Sequence, residues 1–274
     1  MKIHHLNCGT VRPRGAAALI PAFSVLPCHC LLVEAPDCLV LVDAGLGLAD
    51  MDDPSRLGPM ALVLNVDKNP DQTAARQVKR LGFSPSDVRH ILCTHLDLDH
   101  AGGLADFPHA TVHVLKEELE AATHPKLGRE RSRYRPCHLA HGPAFAAHGP
   151  AAETWFDMEC IQPRGLPDGF LLVPLPGHTR GHAAVAVNRG DRWLLHCGDA
   201  YNCRAELTPG GKAPVGMRAF QRVAHMDGKR AAARLSRLRA ALEKAGGQIL
   251  PLATHEPVDY ETFSGEKIEG KSMR

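Results

Sequence analysis

Apolar residues fall along this chain in short β-rich runs interleaved with segments of helical spacing. Ile3-His4-His5-Leu6 opens a first strand, turned at Cys8-Gly9, and residues 29–34 and 38–43 form two further runs separated by Ala35-Pro36-Asp37, a hairpin signal. Residues 70–81 place Ala74, Ala75, Val78 and Leu81 near helical spacing and stop at Gly82, which predicts a helix with a glycine cap. The run 88–93, broken by Arg89 and His90, reads as a buried strand. A helix is expected from Gly103 to Phe107, ended by Pro108, then a strand over 111–115 and a helix over 116–122.

The second half repeats the plan. Strands are predicted over 170–175, 183–188 and 193–196, the last two joined by Gly190-Asp191. Residues 228–246 form a long amphipathic helix with Leu235, Leu238, Ala241 and Leu242 on one face, followed by a strand over 248–253. Two segments break the pattern. Residues 15–26 are apolar but rich in Ala and Pro and are expected to lie as a loop over a site. Residues 123–150 lose all periodicity and carry Arg129, Arg131, Arg133 and Arg135 among several histidines. A long irregular segment in a compact domain is commonly a binding loop, and these arginines would favour an anionic group on a small-molecule substrate.

Composition narrows the class. The chain has 274 residues, 44% hydrophobic, with a net charge of +2, a globular balance that argues against nucleic-acid and membrane partners. It is expected to form one domain, 1–274, since no linker interrupts it. The first residues lack the apolar run of a signal peptide and no run is long enough to span a bilayer, so a cytoplasmic location is expected. Nine cysteines at irregular spacing, without a CxxC pair, read as reduced and mostly structural thiols, Cys197 and Cys203 among them.

The chemistry concentrates in Thr94-His95-Leu96-Asp97-Leu98-Asp99-His100-Ala101-Gly102-Gly103. His95, Asp97 and Asp99 alternate with leucines directly after a buried strand, so imidazole and carboxylates point one way and the leucines pack the other. Gly102-Gly103 are expected to let the chain turn closely past a bound ion. Clustered His and Asp of this kind read as a metal site. His178, Asp199 and His255 each follow a β-rich run as well, so four strand ends can deliver ligands to one sheet edge.

This stretch resembles the THxHxDHxGG signature of the metallo-β-lactamase superfamily, and Pro176-Gly177-His178-Thr179-Arg180-Gly181-His182, Gly198-Asp199-Ala200 and Thr254-His255 follow in that family's order. The resemblance implies an α+β, four-layer αββα sandwich. It also implies two divalent metal ions: His95 and His178 in the first position, Asp99, His100 and His255 in the second, with Asp199 bridging. Asp43-Ala44-Gly45 resembles a family turn whose aspartate orients metal ligands.

Asp97 stands where most members have a second histidine. It is expected to ligate; zinc is the expected metal, and an oxygen ligand at this position shifts preference toward harder ions such as iron or manganese. The implied activity is a metal-dependent hydrolase acting on a small ester, lactone or thioester, similar to the N-acyl-homoserine lactonases, with Asp99 and Tyr201 as candidate catalytic residues, Tyr201 for oxyanion stabilisation. His182 and His196 are expected to support ligands rather than bind metal. The alternatives are an iron-binding redox protein on the same fold and a catalytically weak metal-binding member.

Overall fold

The computed structural model describes residues 1–126, 128–150 and 153–268. Its first sheet has six strands in the order β1-β2-β3-β4-β5-β6: Lys2–Val11, Leu26–Glu34, Leu39–Val42, Val88–Leu92, Thr111–Leu115 and Ala144–His148. β1, β2 and β3 pair antiparallel, and β3 to β6 pair parallel. A small hairpin, β7 (Glu153–Trp155) and β8 (Met158–Cys160), leads to the second sheet. There β9 (Phe170–Pro174), β10 (Ala183–Asn188), β11 (Trp193–His196) and β12 (Ile249–Leu252) stand in the order β12-β11-β10-β9.

Strand β2 shows how sequence sets the layers. Leu31 and Val33 face the space between the sheets, Cys30 and Leu32 face the other way, and all four are fully buried. A strand covered on both faces has no polar side to alternate with, which is why this run is apolar throughout. Between the sheets, Leu31, Val33, Val42 and Leu92 meet Leu172, Val185, Leu194 and Leu252. On the outer face of the first sheet, Ala74, Ala75 and Val78 of the helix Ala74–Arg80 cover Leu32, Leu41 and Ile91. Leu238, Ala241 and Ala245 of the helix Gly228–Ala245 cover Ala184, Ala186 and Leu195 of the second. The result is the expected αββα sandwich. Each fully buried leucine contributes about 1.5–3 kcal/mol, so strand ends rooted in this inner layer are rigid mounts.

Several segments differ from the sequence expectation. The basic stretch is not irregular: it holds the helices Gly128–Arg133 and Pro136–Leu139 and then β6, the edge strand parallel to β5. The helices are too short to display a period, and Ala144-Phe145-Ala146-Ala147-His148 lacks the β-branched residues that mark a strand. Leu127, within that stretch, lies outside the described residues. Residues 15–26, expected as a loop, hold a short helix, Ala16–Leu19, and a 3₁₀ turn, Pro21–Phe23, with Phe23 and Leu26 buried with Val11, Cys28 and Met217.

After the ligand motif, the helix begins earlier than expected, as Leu98–Ala101, and tightens into a 3₁₀ turn over Gly102–Asp106. Gly102 and Gly103 are required by a close backbone approach within the fold. A Cβ on Gly103 would fall 2.4 Å from the carbonyl oxygen of Ala44, and one on Gly102 2.4 Å from Oδ2 of Asp50. Their lack of side chains admits the Ala44–Gly47 turn.

Candidate metal centre

Four loops leave the sheet ends and are stitched to one another by backbone hydrogen bonds. Ala183 N–H donates to Thr94 O at 2.9 Å, Thr254 N–H to Gly198 O at 3.1 Å and His29 N–H to Thr254 O at 3.1 Å. Gly198 makes the β11 turn possible, with φ of 54° and no room for a Cβ, which would lie 2.6 Å from Nε2 of His182. The buried carboxylate of Glu118 adds a side-chain staple. It accepts from the Leu96 N–H at 2.9 Å and the Tyr134 hydroxyl at 3.0 Å, and from Thr179 Oγ1 at 2.6 Å and the Gly181 N–H at 3.1 Å.

The seven ligand-type residues of the sequence reading do come together. Oδ1 of Asp199 lies 3.5 Å from Nε2 of His100 and 3.6 Å from Nε2 of His255, while its Oδ2 lies 3.3 Å from Nε2 of His178. Oδ2 of Asp99 is 3.2 Å from Nε2 of His255, and Oδ2 of Asp97 is 3.3 Å from Nε2 of His95 and 3.2 Å from Nε2 of His178. Zinc bonds of about 2.0–2.2 Å at tetrahedral angles set neighbouring ligand atoms about 3.3–3.6 Å apart, the spacing found here. The two oxygens of Asp199 thus face two groups. Cys28, fully buried, brings its sulfur within 4.8 Å of ligand atoms of Asp99 and His255.

Each imidazole is tethered by Nδ1 and turns Nε2 inward. Nδ1 of His255 donates to Pro27 O at 2.7 Å, that of His100 to Oδ2 of Asp43 at 2.9 Å and that of His95 to Thr94 Oγ1 at 3.0 Å. Such outer partners fix the tautomer that leaves a lone pair on Nε2. Asp43 also accepts from the Thr94 N–H at 2.7 Å and Oγ1 at 2.8 Å, and adopts φ of 57° to do so, which supports the orienting part read from its turn. Nε2 of His95, Nε2 of His100 and Oδ1 of Asp199 are buried without a hydrogen-bond partner. Polar atoms orphaned in this way are costly unless something else binds them.

The field of the cluster calls for positive charge. Burial lowers the pKa of His100, yet Asp199, Asp43 and Asp99 outweigh it and lift the value to about 10. His255 is lifted to about 9, where burial is again overcome, chiefly by Asp199 and then Asp99. Burial acts to raise the Asp199 carboxyl, but His255, His100 and His178 hold it well below the usual range. What draws protons to these imidazoles draws a cation to the space between them.

One ligand pair has a partner that the sequence did not single out. Nε of Arg133, at the end of the helix Gly128–Arg133, donates to both oxygens of Asp97 at 2.6 and 2.8 Å. Its Nη2 donates to Nε2 of His178 at 2.6 Å and its Nη1 to Ala224 O at 2.7 Å. Burial and then Arg133 depress His178 to about 3, and its Nδ1 faces Nδ1 of His225 at 3.1 Å. Two other arginines of that stretch go elsewhere, Arg129 to the carbonyls of Val223 and His225 and Arg135 to that of Arg56, while Arg131 is exposed.

The remaining candidates are placed as follows. Tyr201 is fully buried in the core of the second sheet and donates its hydroxyl to Oδ2 of Asp259 at 2.7 Å, so it is not aimed at the cluster; the correction follows from its own apolar surroundings. His182 accepts from the Asp199 N–H at 3.0 Å and fixes that loop, and His196 bonds the carbonyl of His29 at 2.6 Å. Both support, as expected. Cys197 packs in the core, and Cys203 lies partly buried against Phe23 and Met217.

A family model described as the metallo-beta-lactamase superfamily matches residues 24–241. The chain belongs to that superfamily. A probable metallo-hydrolase of Mycobacterium tuberculosis is 44% identical over 262 residues, 95% of this chain and 82% of its own length. The N-acyl homoserine lactonase AttM of Rhizobium johnstonii is 26% identical over 245 residues, 87% of this chain and 85% of its own. Among solved structures, Bacillus thuringiensis AiiA carrying N-decanoyl-L-homoserine at its active site superposes with a TM-score of 0.71, covering 95% of each chain at 20% identity. That likeness shows the metallo-β-lactamase fold. Metal-dependent hydrolysis is the activity class these relatives support.

Proposed function

We propose that the chain hydrolyses a small ester, lactone or thioester with divalent metal ions held between Asp199 and the surrounding imidazoles and carboxylates. The observation that carries this reading is the spacing of 3.3–3.6 Å between the two oxygens of Asp199 and three imidazoles, with three buried ligand atoms left without hydrogen bonds. The residues present fit such ions. His95, Asp97 and His178 would form one position, Asp99, His100 and His255 the other, and Asp199 would serve both. Zinc suits the imidazole-rich set, with iron or manganese as the harder alternatives. A divalent ion there supplies Lewis acidity, polarising a carbonyl and making water acidic near neutral pH.

The chain's own groups prepare that chemistry. Asp43, Thr94 and Pro27 hold the Nδ1 protons and so keep the Nε2 lone pairs of His100, His95 and His255 available. His182 holds the backbone of Asp199. Asp99, the least enclosed of the acids at 13% side-chain exposure, would take a proton from the attacking water and return it to the leaving oxygen.

Metal analysis of protein purified without chelator, followed by a panel of lactones, thioesters and aryl esters, tests the reading. Bound metal is expected, with hydrolysis that a chelator abolishes and added metal restores. Hydrolysis indifferent to chelator, or protein that takes up no metal, would overturn it.

A further inference from the structure

We propose that the first metal position is guarded by a built-in cation, the Arg133 guanidinium, so that this chain holds one ion tightly and takes a second only by displacing Arg133. The inference rests on the metal-dependent reading above and concerns how the two positions differ.

An imidazole nitrogen without a proton has one lone pair. An arginine N–H can only donate, so the 2.6 Å contact from Nη2 commits the Nε2 lone pair of His178 to the guanidinium. Nε of the same group engages both oxygens of Asp97, so two of the three ligands that only the first position uses are already bonded to a cation. The third, Nε2 of His95, is left without a hydrogen bond.

The guanidinium is not a loose surface group that happens to fall there. Nη1 is fixed on Ala224 O, the side chain is 14% exposed, and its neighbour Tyr134 is anchored to Glu118. A planar fork held on three partners loses little freedom by staying. An incoming divalent ion must therefore break charge-assisted hydrogen bonds and sit beside a fixed positive charge. The second position presents no such obstacle: the side chains of His100 and His255 face the carboxylates of Asp199, Asp99 and Asp43 and the carbonyl of Pro27, and no lysine or arginine among the described residues is bonded to them.

The pairing also accounts for Asp97. A carboxylate in place of a neutral imidazole adds one negative charge, and Arg133 supplies one positive charge against it. Aspartate and arginine act as a couple whose charges cancel, so the pair leaves this position with the net charge that a neutral imidazole alone would give it.

Equilibrium dialysis against Zn²⁺ alone, with wild type, R133M and D97H, decides the matter. Wild type is expected to bind one equivalent tightly and a second at least roughly tenfold more weakly, and R133M to tighten the second by roughly tenfold or more while leaving the first unchanged, in the range that outer-partner changes produce at metal sites. D97H, which removes the anchor of the guanidinium, should also tighten the second equivalent. Two equally tight equivalents in wild type, or an R133M protein whose second equivalent is unchanged or weaker, would overturn the inference. Should R133M not fold, the wild-type count decides, helped by ¹⁵N NMR of His178: its Nε2 resonance should hold still through the first equivalent and move with the second. Zero equivalents in every protein would instead remove the metal-dependent reading itself.

Discussion

Around Oδ1 of Asp199, His100 and His255 gather with Asp99 among carboxylates that no lysine or arginine side chain bonds among the described residues; around Oδ2, His178 and Asp97 already hold Arg133. Both groups are mounted on strand ends of the same sandwich and keep similar ligand spacing. The difference lies in compensation. A set of ligands calls for an ion to the extent that its negative charge and its lone pairs are unmet, and counting ligand-type residues does not measure that.

The variant expected to act most strongly removes what the two groups share. Asp199→Ala should strip tightly bound metal and lower kcat/KM by more than the roughly 10–100-fold that loss of an outer hydrogen-bond partner costs. Metal content and kinetics on one sample measure both, with far-UV circular dichroism to verify the fold. Metal retained at the wild-type level would mean that Asp199 joins nothing, and the comparison of its two sides would lapse.

Next in size is Glu118→Ala. This carboxylate ties the Leu96 N–H, beside His95 and Asp97, to Thr179 and Gly181, beside His178, and so braces the first group far more than the second. Four donors would lose their acceptor in a buried place, which should cost about 3 kcal/mol or more of stability. Chemical denaturation reads that loss. At low denaturant the tight metal equivalent should survive, because Asp43 and Pro27, not Glu118, orient His100 and His255.

Asp43→Asn gives the opposite asymmetry. An amide can still accept from Thr94, but it no longer presents a carboxylate to Nδ1 of His100. The tight equivalent should weaken roughly 10–100-fold while the weak one changes little, a contrast that a metal titration resolves. Equal weakening of both would show that Asp43 acts through the scaffold and not through His100.

Much of this was legible beforehand, and the reason is physical. His95, His178, Asp199 and His255 sit at the ends of apolar runs, and a buried strand declares itself by composition. Asp43 was readable from its turn. Arg133 was not, because Arg129, Arg131, Arg133 and Arg135 look alike in sequence, and only the winding of the helix Gly128–Arg133 and the chain after it decides which one reaches Asp97. Glu118 hid in Lys116-Glu117-Glu118-Leu119-Glu120, which reads as a solvated helix face, yet it is fully buried while Glu117 and Glu120 are exposed. Tyr201 misled for a related reason: its nearness to Asp199 along the chain says nothing of direction, and two residues on it points into the core.

The smallest expected effect sharpens the comparison from outside the site. Arg131 lies two residues before Arg133, carries the same charge and is exposed, whereas Arg133 is partly buried on Asp97 and His178. If the basic stretch acted by general attraction for an anionic substrate, the two arginines would contribute alike, since in bulk water at about 0.15 M salt their fields are screened over about 8 Å. If Arg133 acts by geometry, they would not. Arg131→Ala should leave KM and kcat for the best substrate of the ester and lactone panel within experimental error, as exposed substitutions usually do to within about 0.5 kcal/mol. KM should likewise show no added dependence on ionic strength relative to wild type. A several-fold rise in KM for Arg131→Ala, erased by salt, would assign the stretch to long-range capture of substrate and make Arg133 one member of a charged surface instead of the single residue that closes the first position.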